Sequence, residues 1–298
     1  MRLLEAVPNV SEGRNIARVH EIAASLERAP DVRLLDVSSD PDHHRTVLTA
    51  VGEPPALVGA LVDLCRAAIE RIDLTGHSGV HPRLGVVDVV PLVPLGACSM
   101  AEAVDCAERL GSRLGEELGV PVFLYGEAAR DTHRRVPASL RRGGLGALAS
   151  AIAAGTLRPD FGPRRVDPRV GVTLVGAREP MVAFNVELAT TDAAIAREVA
   201  KAVRERDGGL EGVQALGFYL ETRRRAQVSV NLLRVSATSL ATVVERIAAE
   251  ARRRGVEIGP SELVGLVPEE AVLRAAADAL RLPRLASEQI LESRLAGR

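Results

Sequence analysis

Along the first hundred residues the apolar positions change period several times, and each change marks an element. "LLEAVPNV" is a short apolar run that reads as a strand, followed by the polar turn Ser11-Glu12-Gly13. From there Ile16, Val19, Ile22, Ala23 and Leu26 recur at helical spacing and predict a helix near 14–28. "VRLLDVSSD" and "RTVLTAVG" read as two strands separated by the polar turn "DPDHH". "PALVGALVDLCRAAIERI" is a long amphipathic helix with Pro54 and Pro55 at its start, where proline is tolerated. The loop "TGHSGVHPRLG" follows, and then "GVVDVVPLVP", a β-branched run that reads as a buried strand. The order is β-α-β-β-α-β.

The last third of the chain gives the same order again. "MVAFNVEL" is a strand, and Thr190, Thr191 and Asp192 offer caps for a helix around 192–205. "GVQALGFYLE" and "AQVSVNLLR" are strands joined by the charged turn "TRRR". "SLATVVERIAAEARRRG" is a helix ending at Gly255, and "SELVGLVP" closes the unit. The pattern predicts an α+β protein: a tandem duplication of two ferredoxin-like β-α-β-β-α-β subdomains. Between the copies, residues 95–155 form an α/β extension with a helix ("SMAEAVDCAERLGSRLGEEL") and a strand ("VPVFLYG"). A long Pro/Gly/Arg loop, 158–171, comes next, and an amphipathic helical tail broken near Pro283 ends the chain. The expected domains are 1–177, including the extension, and 178–298 with the tail.

Composition narrows the partners. Of 298 residues, 47% are hydrophobic but only 2% aromatic, so the core must be built from Leu, Val, Ile and Ala. A formal net charge of −1 gives no global pull toward nucleic acid or an anionic membrane. Lys201 is the only lysine, so almost every cation is arginine. Cys65, Cys98 and Cys106 show no CxxC spacing and suit buried thiols in a reducing compartment. No apolar run approaches the roughly 20 residues needed to span a bilayer. The N-terminus lacks the pattern of a signal peptide, so a soluble, cytoplasmic protein is expected.

Candidate chemistry concentrates in the first copy. Its loops "NVSEGRN", "SSDPDHHRT" and "TGHSGVHPR" are loaded with His, Asp and Arg, whereas "LATTDAAI", "ETRRRAQ" and "RGVEIGPSE" in the second carry no histidine. Two packed modules leave a cleft, and binding sites favour such junctions. His77 and His81 have HxxxH spacing, but Gly76, Gly79 and Pro82 oppose the helix that would bring both rings to one metal, so no metal is expected. The loop also lacks the Gly-Lys-Ser/Thr end of a phosphate-binding P-loop. Two readings stand: a glycine turn with solvated histidines, or a histidine that binds or moves protons. For the second, His81 beside Pro82 and Arg83 is the candidate, since imidazole titrates near neutral pH.

The motifs "VPNVSEGRN", "SDPDHHRT", "GVHPRLGVVDVVP", "GVPVFLYGEAA", "PDFGP", "AFNVEL", "NLL" and "ELVGLVP", in this order over nearly the whole chain, resemble the glutamate formimidoyltransferase family. The family includes the formiminotransferase portion of formimidoyltransferase-cyclodeaminase. The resemblance implies transfer of a formimino group from N-formimino-L-glutamate to N5 of tetrahydrofolate, in histidine breakdown and one-carbon metabolism. It places the catalytic histidine on His81 and the folate-binding stretch on Gly162, Pro163, Arg164, Arg165, Val166, Asp167, Pro168, Arg169, Val170 and Gly171. It implies a homodimer, with (poly)glutamylated tetrahydrofolate as co-substrate and a separate cyclodeaminase to close the ring. Both substrates carry carboxylates, which arginine recognises as a fork. Arg45 and Arg83 are candidates near the reacting centre, and Arg164, Arg165 and Arg169 are candidates for the glutamyl tail. Asn9, Ser11, Glu12, Asp40 and His44 complete the substrate-binding candidates, with Asp88 either orienting a loop histidine or pairing with an arginine. Glu12 reads equally well as an acid complementing a helix N-terminus. Two positions depart from the family pattern: Val80 stands where a Glu precedes the catalytic histidine, and His44 stands where an Asn is usual. A related enzyme passing a 5-formyl group to glutamate and a non-catalytic folate-binding protein are the alternatives.

Overall fold

The computed structural model describes residues 2–295, so the last three positions of the tail lie outside the described residues. The chain divides between Glu179 and Pro180 into two compact units. In the first, β1 (Arg2–Ala6) and β2 (Asn9–Val10) are two parts of one line, broken at Val7-Pro8. Then come α1 (Ile16–Glu27), β3 (Val32–Asp40), β4 (Arg45–Gly52), α2 (Pro54–Arg71), β5 (Val87–Gly96) and α3 (Met100–Glu117). The unit ends with β6 (Val122–Gly126), α4 (Pro137–Leu140), α5 (Gly144–Ala153) and β7 (Thr173–Ala177). Pro54 and Pro55 occupy the first turn of α2, and Ser99 with Glu102 forms a capping box on α3.

The second unit contains β8 (Val182–Leu188), α6 (Ala193–Val203), β9 (Val213–Leu220), β10 (Arg225–Leu232) and α7 (Leu240–Arg252). It continues with β11 (Ile258–Val264), α8 (Glu269–Leu280) and α9 (Leu291–Leu295). Its sheet runs β11-β8-β10-β9, all antiparallel, which is fourth-first-third-second in chain order. The first sheet holds the same arrangement in β5-β1-β4-β3. Even the hairpins agree. Four-residue turns link Asp40 to Arg45 and Leu220 to Arg225, and each ends on a left-handed residue, His44 or Arg224, at φ +50°.

The first sheet has two further strands. β7 lies between β5 and β6 and runs parallel to both. The sequence pattern does not mark β7 as a strand, because its five residues are all buried and show no alternation. Side chains on β6 alternate between two clusters. Val122 and Leu124 join the main core with α1, α2 and α3, while Phe123 and Tyr125 face Leu140, Leu148 and Ile152 of α4 and α5. The extension is thereby anchored on the sheet face opposite the main helices. The second unit has its own core around Phe184, Val228 and Ile247. Among the described residues no helix is long and apolar enough to cross a membrane.

Candidate active site

Arg45 is the first residue of β4, immediately after the β3–β4 turn, and its guanidinium ties three segments together. Nε donates to Asn9 Oδ1 at 2.8 Å, and Asn9 in turn donates from Nδ2 to Val7 O at 2.7 Å. Nη1 lies 2.9 Å from Asp88 Oδ2 and 2.9 Å from His81 Nδ1. Asp88 reaches this point because of a bulge: adjacent Asn9 and Val10 pair with Val89 and Val87, leaving Asp88 as the extra residue. Such bulges re-aim a side chain out of the regular alternation. The Asp88 carboxylate is fully buried and accepts from Leu84 N at 2.7 Å, from Arg45, and from Nη2 of Arg141.

The loop that carries His81 is braced from two sides. Arg83 folds back over it, donating to the carbonyls of Gly79 (3.0 Å), His81 (3.2 Å) and His77 (2.8 Å). Arg14, just before the N-cap of α1, donates to Pro41 O at 2.9 Å and to Ser78 O at 2.8 Å. Val80 N donates to Asp42 O, and a Cβ at Gly79 would collide with the His43 carbonyl, so the loop lies directly on the β3–β4 turn. His77 Nε2 donates to His44 O at 2.8 Å, and the two rings stack 4.0 Å apart. The His43 ring centre is 5.8 Å from that of His81.

Electrostatics around His81 favour the neutral ring. Burial, then Arg45, Arg141 and His43, hold its pKa well below the ordinary histidine value. The two contacts at Nδ1 select opposite tautomers. Arg45 donates only to a bare Nδ1, whereas Pro82 O, 2.7 Å away, accepts only from Nδ1–H. With the proton on Nδ1 the other nitrogen, Nε2, is a base; with Nδ1 bare, Nε2–H is an acid. For Asp88, burial favours protonation, but Arg141 and Arg45 outweigh it and hold the carboxyl below its usual value. Burial likewise opposes ionisation of Glu12, yet backbone donors, Arg18 and His44 bring its pKa down to about 2.

The stretch from Gly162 to Gly171 runs alongside this loop. Leu74 N donates to Arg169 O, Val86 N to Val170 O, and Val172 N to Leu84 O. Gly85 and Gly171 face each other across a bridge, and a Cβ on Gly171, at φ +78°, would meet the Leu84 carbonyl. Arg169 reaches Asp73 at 3.1 Å, while Arg164 and Arg165 are exposed.

His81 thus sits between the Arg45–Asp88–Arg141 cluster and the arginine-bearing stretch 162–171. Residues 3–178 match the model of the formiminotransferase domain, N-terminal subdomain, and residues 183–287 match that of the formiminotransferase domain. The chain belongs to the formiminotransferase family. It is 39% identical to the glutamate formimidoyltransferase of Streptococcus pyogenes serotype M1, over 99% of both chains. It is 40% identical to the glutamate formimidoyltransferase of Thermoplasma acidophilum, over 99% of this chain and 98% of that one. The formimidoyltransferase-cyclodeaminase of Sus scrofa is 43% identical over 93% of this chain, but this stretch spans only 52% of the pig protein.

Within this formiminotransferase chain the residues singled out from the sequence fall into two groups. His81, Arg45, Asn9 and Asp88 form one connected network. Ser11, Glu12, Asp40, His44 and Arg83 make internal bonds around it. Ser11 Oγ donates to Gly85 O, and Asp40 accepts from His43 N. Glu12 Oε1 accepts from the backbone N–H of Gly13, Arg14 and Asn15, each at 3.0 Å, and its Oε2 takes Arg18. These donors precede α1, whose N-cap is Asn15, so Glu12 closes the turn that leads into the helix. Sequence reasoning missed Arg141 and Arg14 and passed over His43. Nothing in the spacing pointed to Arg141, which sits in the arginine-rich extension, 53 residues from Asp88. His43 lay beside the chosen His44, and only the turn geometry decides which ring approaches His81.

Proposed function

We propose that this formiminotransferase moves the formimino group of N-formimino-L-glutamate to N5 of tetrahydrofolate, with His81 as the single general acid and base. The observation that carries the reading is a neutral His81 held on the Arg45–Asp88 pair, in a chain that matches glutamate formimidoyltransferases over its whole length. The N5 lone pair attacks the amidine carbon and forms a C–N bond, and His81 Nε2, in the tautomer whose Nδ1–H donates to Pro82 O, takes the N5 proton. The tetrahedral adduct then breaks its bond to the glutamate nitrogen, which receives that proton from Nε2–H. The products are 5-formiminotetrahydrofolate and glutamate. General acid–base assistance of this type contributes about 10²–10⁴ in rate, and positioning two substrates supplies much of the remainder.

Residues 162–171 meet the folate, with exposed Arg164 and Arg165 taking carboxylates of its glutamyl tail. Asn9, Arg45 and Asp88 set the reacting end, while Ser11, Glu12, Asp40, His44 and Arg83 shape the loops that receive formiminoglutamate. The matching strand order and the paired φ +50° turns support descent of both units from one ferredoxin-like module. In this reading the protein is a cytoplasmic homodimer, binds no metal, and passes its product to a separate cyclodeaminase. The test is direct. Purified protein, tetrahydrofolate and formiminoglutamate are mixed and the 5-formimino product is measured, with His81→Ala as comparison. Absence of product from the wild type would overturn the reaction. A fully active His81→Ala would overturn only the role of His81.

A further inference from the structure

The cluster beside His81 holds one more cation than it needs for neutrality. Arg45 and Asp88 alone are a matched pair, both largely withdrawn from water. Arg141 joins the same carboxylate oxygen, Oδ2, so two guanidiniums share one negative charge. Arg141 follows α4 directly, and Leu140 beside it is buried against Phe123 and Tyr125 of β6 with Leu148 and Ile152 of α5. The extension between the repeated modules thus carries a charge into the site of the first.

We propose that Arg141 is a positioning residue of the transfer reaction, acting through Asp88 and Arg45 to keep His81 unprotonated and its Nδ1 fixed. The inference rests on the proposed transfer by His81. Arg45, Arg141 and His43 oppose protonation of the ring, while the Pro82 carbonyl at Nδ1 favours it. From β4 comes Arg45, from the bulge of β5 Asp88, from the β3–β4 turn His43, and from the loop itself Arg83, bonded to three carbonyls. Arg141 supplies the surplus positive charge that opposes protonation of His81. Its bond to Asp88 Oδ2 also fixes that carboxylate beside Arg45 Nη1, which lies 2.9 Å from His81 Nδ1.

The experiment follows the His81 ring by NMR through a pH titration of the free protein, its signal assigned by loss in His81→Gln. The variants are Arg141→Gln and Arg141→Lys. Arg141→Gln raises the His81 midpoint, and kcat/KM measured below the wild-type midpoint falls by roughly tenfold for each pH unit of that rise. Arg141→Lys, which keeps the charge, restores most of the wild-type midpoint. Leu140→Ala loosens the anchor without changing any charge and moves the midpoint the same way by a smaller step, so it serves if Arg141→Gln does not fold. An unchanged midpoint in the variant that folds overturns the proposal. The titration needs no substrate. A wild type that forms no product therefore fails the transfer reading while leaving the effect of Arg141 on the ring measurable.

Discussion

His44 and His77 stack 4.0 Å apart beneath the loop, and burial lowers the pKa of both, that of His77 to about 4. An unfolded histidine titrates near 6.5. As pH falls from about 6.5 to about 4, the unfolded chain takes up a proton that the folded His77 refuses. Stability from this source is therefore complete above that window and is lost as pH drops through it. We expect Tm to decline from pH 7 to pH 4.5, and His77→Asn to flatten the decline, as read by scanning calorimetry. Glu12 acts with the same sign in a lower window: with its pKa held at about 2, its contribution is complete above the ordinary carboxylate value and is lost as pH falls from there toward 2. Asp88→Asn leaves Arg45 and Arg141 without a counter-charge in a buried site and costs about 3–5 kcal/mol in chemical denaturation. At this scale the sequence was legible where chemistry clusters locally, as in "DPDHHRT" and "VHPR". It was silent on Arg141, because a contact spanning 53 residues is set by how the extension packs, and an arginine among arginines carries no mark.

Helices and hairpins were readable because their periods are local. The apolar spacing of α1 and α2 and the polar turns before β4 and β10 match the elements seen, within a few residues. Strand β7 was not, since a short apolar run among glycines gives no alternation and its pairing partners lie far away in sequence. Its consequence is large. By running parallel between β5 and β6, β7 draws the preceding loop, 162–171, against Leu84–Val86 and so beside His81. The bulge at Asp88 was equally invisible, because "GVVDVVP" reads as a regular buried strand until its partner is known. The loop and the β3–β4 turn are then a single device, which Gly79→Ala tests. Its added Cβ meets the His43 carbonyl, a backbone atom that cannot turn aside. Overpacking of this kind costs about 1–3 kcal/mol. We expect a matching loss in denaturation together with a fall in kcat larger than any rise in KM, because the displaced loop misplaces His81.

At the scale of the whole chain, the strand order and turn geometry repeat while the chemistry does not. All six histidines lie in the first unit, and Arg225, at the position in its hairpin that Arg45 holds in the other, is exposed. The same topology therefore supports a histidine-bearing set of loops in one unit and a plain charged hairpin in the other. Each unit also carries its own apolar core, which makes their stabilities separable in an experiment. Phe184, on the central β8 of the second sheet, is buried among Val182, Val186 and Val228. Phe184→Ala removes about 3–5 kcal/mol of packing there. The expected result is a loss of amide hydrogen-exchange protection across β8 to β11, with β1 to β7 retaining wild-type protection. The His81 titration, fixed by Arg45, Asp88 and Arg141 within the first unit, stays where it was. Loss of protection in both sheets together would mean that the two cores open as one cooperative unit, and that the stability of the His81 site depends on packing well outside the module that contains it.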